Sequence, residues 1–329
     1  MTMRIAPVLL LCTAALGEEH APPMEAHPCA QLDNGILKAT VQLPDAGRGY
    51  YRGARFDWSG LVTQVECRGH TFFGELKTPR RPTAHDHAGG ICEEFGMDAT
   101  PGYDEAREGE TFVKIGVGTL LRGREREYRF HLPYPIAQAA PWEIRTERAR
   151  IAFAQDFAGP RDWGYRYVKT VTLETGQPAL TVARTLTNTG KKPIETDHYG
   201  HNMFIFDRQP IGRGYGVRFG FVPELVKPDP KAALLQDGVF RFVDETLKGS
   251  FWSPFTGFAE AGHNRLTVFH EASGLALEVA TDRAPSKICL YAEKTALCPE
   301  PFVSLKLAPG ESASWTTTYR FSAPGAARE

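Results

Sequence analysis

The sequence has no surplus of charge of either sign: 38 Lys and Arg stand against 39 Asp and Glu in 329 residues. It therefore offers no electrostatic footprint for a nucleic acid or an anionic membrane surface. It has no C-x-x-C pair. Of its six cysteines, Cys12 lies in the apolar start of the chain, and Cys29, Cys67, Cys92, Cys289 and Cys298 are odd in number and widely spaced. That pattern excludes a disulfide framework or a structural zinc site. One bridge stays open, with Cys289 and Cys298 the nearest pair in sequence. Helical periodicity is missing as well, since no stretch of a dozen residues repeats its apolar side chains every ~3.6 positions. The best helical candidate, Lys231–Gln236 (KAALLQ), is short.

Long apolar runs are confined to Ile5–Leu16 (IAPVLLLCTAAL), well below the ~20 residues that cross a bilayer as a helix. With Arg4 before it and Gly17 after it, this run has the layout of a secretory signal peptide. The sequence thus predicts a signal peptide over 1–17, a flexible leader over 18–30, one domain over 31–323 and a tail over 324–329. The mature protein is expected in the periplasm or secreted.

What the sequence does have is period-2 alternation. Gly35–Leu43, Leu61–Cys67, Tyr165–Leu173, Leu180–Leu186, Leu266–His270 and Leu275–Val279 alternate apolar and polar residues between Gly, Pro, Asn or Asp. With 32 Gly and 24 Pro to make tight turns, the expected class is all-β, a large antiparallel β-sandwich with few helices.

Three segments concentrate reactive side chains. Thr83–Gly96 (TAHDHAGGICEEFG) holds His85, Asp86, His87, Glu93 and Glu94 around the paired glycines Gly89 and Gly90. On a strand, His85 and His87 would share one side and suit a metal; a solvated polar loop is the commoner explanation of a bare H-x-H. The glycines point to a tight turn or a close backbone approach to a ligand. Thr187–Asp207 makes a turn at Asn188–Gly190 and then carries His198 and His201 on opposite faces of a strand. Either imidazole could move a proton near neutral pH. In the last third, Glu300 lies between Pro299 and Pro301, which stiffen the backbone around a candidate general base. Asp162 and Trp163, in the run RDWGYRY, line either the same site or a sheet surface.

Together these segments resemble the aldose-1-epimerase (galactose mutarotase-like) superfamily, with local wording nearest its hexose-6-phosphate epimerase branch. The resemblance rests on Gly89-Gly90-Ile91, on the N-T-G-x-x-P turn from Asn188 to Pro193 that leads to His201-x-x-Phe204, and on Cys298-x-Glu300-Pro301 followed by Leu307-x-Pro309-Gly310-Glu311. It implies a large antiparallel sandwich that interconverts sugar anomers. His201 would be general acid toward the ring oxygen, and Glu300 base toward the anomeric hydroxyl. No metal or redox cofactor is called for, and the partner would be a carbohydrate, either a free sugar or a sugar-chain end. Where the mutarotases have a second histidine and the phosphate-sugar branch an arginine, directly before the paired glycines, this chain has Ala88. His87 comes one residue earlier, and the arginine expected near the start corresponds to Arg52 or Arg55. His198, Asp162 and Trp163 complete the candidate substrate contacts.

Two other functions fit the same fold. A non-catalytic carbohydrate-binding protein would show an aromatic groove using Trp58, Trp163 or Trp252. A polysaccharide lyase or hydrolase would set Glu93 or Glu94 across a cleft from Glu300. The epimerase reading expects His201 and Glu300 in one pocket, about 5–8 Å apart.

Overall fold

The computed structural model describes residues 27–77 and 81–324. The expected signal peptide lies outside them. The alternating segments form strands that assemble, entirely by antiparallel pairing, into two ten-stranded sheets and one of three strands. The first sheet runs in the order Cys29–Asp33, Leu37–Gln42, Leu61–Cys67, Ile91–Phe95, Ile194–Asn202, Ala296–Leu307, Lys287–Glu293, Phe251–Thr256 and Glu224–Leu225, with His70–Thr71 off this path. The second is centred on Leu275–Thr281, Ser312–Ser322, Ala179–Asn188 and Gly164–Leu173. Among the described residues the only helical turns are the short 3-10 segments Pro160–Asp162, Phe206–Arg208 and Ala261–His263. No helix there is long and apolar enough to cross a membrane.

Because side chains alternate across a strand, each sheet turns one row of apolar residues inward. Leu37, Ala39 and Val41 of the first sheet meet Val171, Leu173, Leu180 and Val182 of the second in one buried core. The outer face of the first sheet is also partly covered. The three-stranded sheet of Thr111–Lys114, Gly118–Leu121 and Ile136–Ala139 belongs to a second apolar layer, in which Phe112 and Leu120 pack with Cys92, Met203 and Cys298.

Several expectations change. The first strand begins at Cys29, inside the segment read as a leader. KAALLQ is not helical: Ala233–Gln236 is a strand paired with Val239–Phe242. Asp237 and Gly238, both at positive φ (52° and 71°), close the hairpin, and an Asp-Gly two-residue loop is strongly suited to that geometry. All five described cysteines are free. Cys289 lies opposite Glu300 and Cys298 opposite Tyr291, so the two thiols do not face each other. His85 and His87 lie in turns rather than on a strand, and no group of three or more His, Cys, Asp or Glu among the described residues is placed to hold a metal ion.

Between the sheets, hydropathy fails as a guide. Glu93, Arg184, Lys169 and Asp57 are all buried. Arg184 Nε donates to Glu93 Oε2 at 2.9 Å, its Nη2 pairs with Oε1, and Lys169 Nζ lies 2.9 Å from both Glu93 Oε2 and Asp57 Oδ2. Although burial pushes the Glu93 carboxyl up, Arg184 and Lys169 hold it well below its usual range. Glu93 belongs to the first sheet and both cations to the second, so the ion pairs join the layers. Removing one partner strands the other charges in a dry interior. Glu93→Ala is expected to cost about 3–5 kcal/mol, read as a lower urea midpoint; a loss of under about 1 kcal/mol, typical of exposed pairs, would show that the cluster does not join the sheets.

Candidate active site

The site is built on the outer face of three neighbouring strands. On Ile194–Asn202 the alternation turns Thr196, His198 and Asn202 inward, and Tyr199 and His201 outward. Tyr199 pairs with Glu94 and His201 with Cys92 on one side. On the other, the ladder runs as far as Tyr199 opposite Phe302, and two further steps of the same register bring His201 opposite Glu300. The prolines flanking Glu300 have no N–H to continue that ladder. The Asn202 side chain compensates in part, donating from Nδ2 to the Pro299 carbonyl at 3.0 Å.

His201 Nδ1 and Glu300 Oε1 are 3.1 Å apart, and each residue is only 4 % exposed. The contact is not aligned as a hydrogen bond. It is also closer than the expected separation, so the two side chains touch where a pyranose was expected between them. Burial lowers His201 to about 3, assisted by the positive charge of Arg55. Burial raises Glu300 to about 8, with Arg55 pulling the other way. Desolvation thus favours the neutral form of each group, so near neutrality Glu300 carries the proton and His201 is neutral.

Arg55 frames this pair. Its Nε donates to Glu94 Oε2 at 2.8 Å, Nη1 to Asp86 Oδ1 at 2.6 Å and Nη2 to the Tyr199 hydroxyl at 3.0 Å. Its guanidinium also lies 4.7 Å from the ring centroid of Phe56 and 4.8 Å from that of Phe130. Three of its five N–H donors are engaged in these bonds. Glu94 is bound on its other oxygen by the buried Lys114 at 3.1 Å. Phe56 and Tyr291 form T-shaped ring pairs with His201 at centroid distances of 5.7 and 6.5 Å. The Cys92 thiol donates to the His201 carbonyl at 3.4 Å.

Of the other candidates, only Arg55 joins His201 and Glu300. Arg52 turns away toward the Ala46 carbonyl at 3.5 Å. His87 accepts from the Arg81 backbone N–H at 3.0 Å within its own turn. Two residues earlier, His85 has its Nε2 3.9 Å from Asp86 Oδ1, and burial lowers its pKa. His198 faces the sandwich interior, 3.4 Å from Glu93 and accepting from Trp315 Nε1 at 3.2 Å, and burial lowers it to about 4. Asp162 pairs with Lys191, and Trp163 with Glu105, on an exposed turn. The paired glycines serve packing rather than a ligand: a Cβ on Gly90, whose φ is +72°, would stand 1.9 Å from the Val62 carbonyl oxygen.

Trp58 is buried and donates to the Gly53 carbonyl, Trp163 sits on its turn, and Trp252 is exposed on another strand. Glu93 and Glu94 are each committed to buried cations. The signal for Tyr199 was present, since Tyr199-x-His201 must share a face at a period of 2. Nothing local in the sequence pointed to Lys114.

No family model matches the sequence, and no curated protein matches it. The fold does have solved counterparts. A galactose mutarotase-like protein from Clostridium acetobutylicum superposes with a TM-score of 0.57 at 12% identity, over 92% of this chain and 97% of that one. The protein Slr1438 from Synechocystis sp. PCC 6803 gives 0.57 at 15% identity, over 93% and 99%. An aldose epimerase homologue from C. elegans gives 0.52 at 14% identity, over 91% and 99%. At such identities the likeness concerns architecture, and the chain has the large antiparallel β-sandwich fold seen in these galactose mutarotase-like structures.

Proposed function

We propose that the protein is an aldose 1-epimerase-like enzyme that interconverts sugar anomers by acid/base ring opening, working in the periplasm or after secretion. The observation that carries this reading is the buried His201–Glu300 contact, 3.1 Å long, with the two pKa values displaced so that the pair holds one proton. Export is supported by the apolar run at Ile5–Leu16.

The chemistry needs one acid and one base. Glu300 takes the proton from O1 as the C1–O5 bond breaks, His201 delivers a proton to O5, and C1–O1 becomes a carbonyl. Rotation about C1–C2 presents the other carbonyl face, and the reverse transfers close the ring. Neutral His201 with protonated Glu300, and imidazolium with carboxylate, hold the same number of protons. An anomeric hydroxyl donating to Glu300 favours the second form. The side chains must part to admit the pyranose. Arg55 keeps two N–H donors free for sugar hydroxyls. The alternative, a carbohydrate-binding protein on the same fold, draws on Ala88 and on the closed contact; it requires sugar binding without acceleration.

Polarimetry on freshly dissolved α-glucose and α-galactose tests the reading. Wild type should speed the approach to equilibrium, and His201→Ala and Glu300→Gln should each lose about 10²–10⁴ of that acceleration. Wild type with no effect on any aldose would leave the binding alternative. The pH profile follows from the proton on Glu300: kcat/KM should fall tenfold per pH unit above about 8, as the pair loses its proton.

Stability has the opposite dependence from that of an ordinary paired carboxylate. Folding raises Glu300 from 4.5 to about 8, so the native state binds more protons than the unfolded chain between those values. Stability from this group is complete below 4.5 and is lost as pH rises toward about 8. Glu300→Gln should therefore raise the Tm at pH 9 and change it little at pH 4. An equal shift at both values would place Glu300 in an environment that does not desolvate it.

A further inference from the structure

The outer face of the first sheet is roofed at His201 but bare three strands away. On Phe251–Thr256, Phe251 and Phe255 enter the core while Trp252 and Thr256 point outward. A single exposed apolar residue needs no explanation; what distinguishes Trp252 is its position. It is 42% exposed even with Lys227 Nζ 4.4 Å from its ring centroid. Directly across the ladder stands Tyr291, the ring that forms a T-shaped pair with His201 at 6.5 Å. The Tyr291 hydroxyl donates to Glu293. Glu293 and Lys294, with Thr246, Lys248 and Ser250, line a cleft of about 710 Å³. That is within the range of small-ligand sites and leaves room beyond a single pyranose. Tyr291 and Trp252 thus stand side by side on the outer face, and Glu293, which bonds the Tyr291 hydroxyl and Lys77 Nζ, also lines the cleft. Three strand spacings of ~4.8 Å put the ends of this track about 14 Å apart, the span of a short oligosaccharide.

We propose that this track is an extended carbohydrate-binding site and that the substrate is the end of a sugar chain rather than a free monosaccharide. A pyranose presents an apolar C–H face ringed by hydroxyls, which suits an aromatic plane beside polar side chains. The terminal unit occupies His201 and Glu300, the next units cross Tyr291, and Trp252 stacks on one of them while Glu293, Lys294 and Ser250 meet their hydroxyls. This inference rests on the sugar reading of the His201–Glu300 pair.

The test is titration calorimetry of the full chain with glucose and galactose against maltotriose, cellotriose and β-1,4-galactotriose, alongside polarimetry. At least one trisaccharide should bind about tenfold or more tightly than its monosaccharide, and Trp252→Ala should bring that ratio close to one, as loss of a stacked aromatic contact requires. Trp252→Phe should keep most of the ratio. Equal affinity for both lengths, or a ratio that survives Trp252→Ala, overturns the extended site while mutarotation by wild type upholds the ring-opening reading. If no sugar binds and no mutarotation is accelerated, the two fall together.

Discussion

The strand Ile91–Phe95 carries adjacent glutamates that are both buried, and the architecture around it exists to neutralise them. Alternation sends Glu93 into the sandwich and Glu94 to the outer face. Glu93 is met by Arg184 and Lys169 from the opposite sheet, and Glu94 by Arg55 and Lys114 from the covering layer. A buried carboxylate without its cation is far costlier than a missing apolar contact. The same constraint therefore fixes the position of the second sheet, of the roof, and of the guanidinium beside His201.

Arg55 links this framework to the chemistry. Its charge is balanced by Glu94 and Asp86, so the pair beside it feels a dry, nearly neutral environment with a slight positive bias. Burial is the largest influence on both His201 and Glu300. The roof of Phe56, Phe112, Leu120 and their neighbours thus sets the protonation of the pair as well as the packing. Two ionisable groups driven toward their neutral forms and set in contact are an arrangement suited to moving a proton.

The β-sandwich was legible because its signal is local: period-2 alternation between turn residues. That His201 and Glu300 share one face was anticipated through short stretches of family wording. The rest of the site was not, for identifiable reasons. In TVARTL the exposed residue is Ala183 and the buried one Arg184, which reverses the usual meaning of polarity, since a cation can be buried once a carboxylate from another sheet meets it. Lys114 and Glu94 are twenty positions apart in the chain, and Arg55 and Tyr199 are 144 apart, so no spacing rule relates them. Asp162 and Trp163 looked like site residues because a polar-aromatic run fits a sugar site and an ion-paired surface turn equally well. His87 lies in a turn, where its ring accepts from the Arg81 backbone rather than meeting the His201–Glu300 pair.

The strand that holds His201 has a further consequence. Its neighbours in the sheet come from Ile91–Phe95 and Ala296–Leu307, so the face that carries His201 and Glu300 joins residues from the first third of the chain to residues near its end. Such pairings pay their loop-closure entropy before any contact rewards them. His201 and Glu300 can therefore meet only after nearly the whole polypeptide has found its place. Formation of the His201–Glu300 contact would mark the close of folding, and the topology sets a slow clock for it.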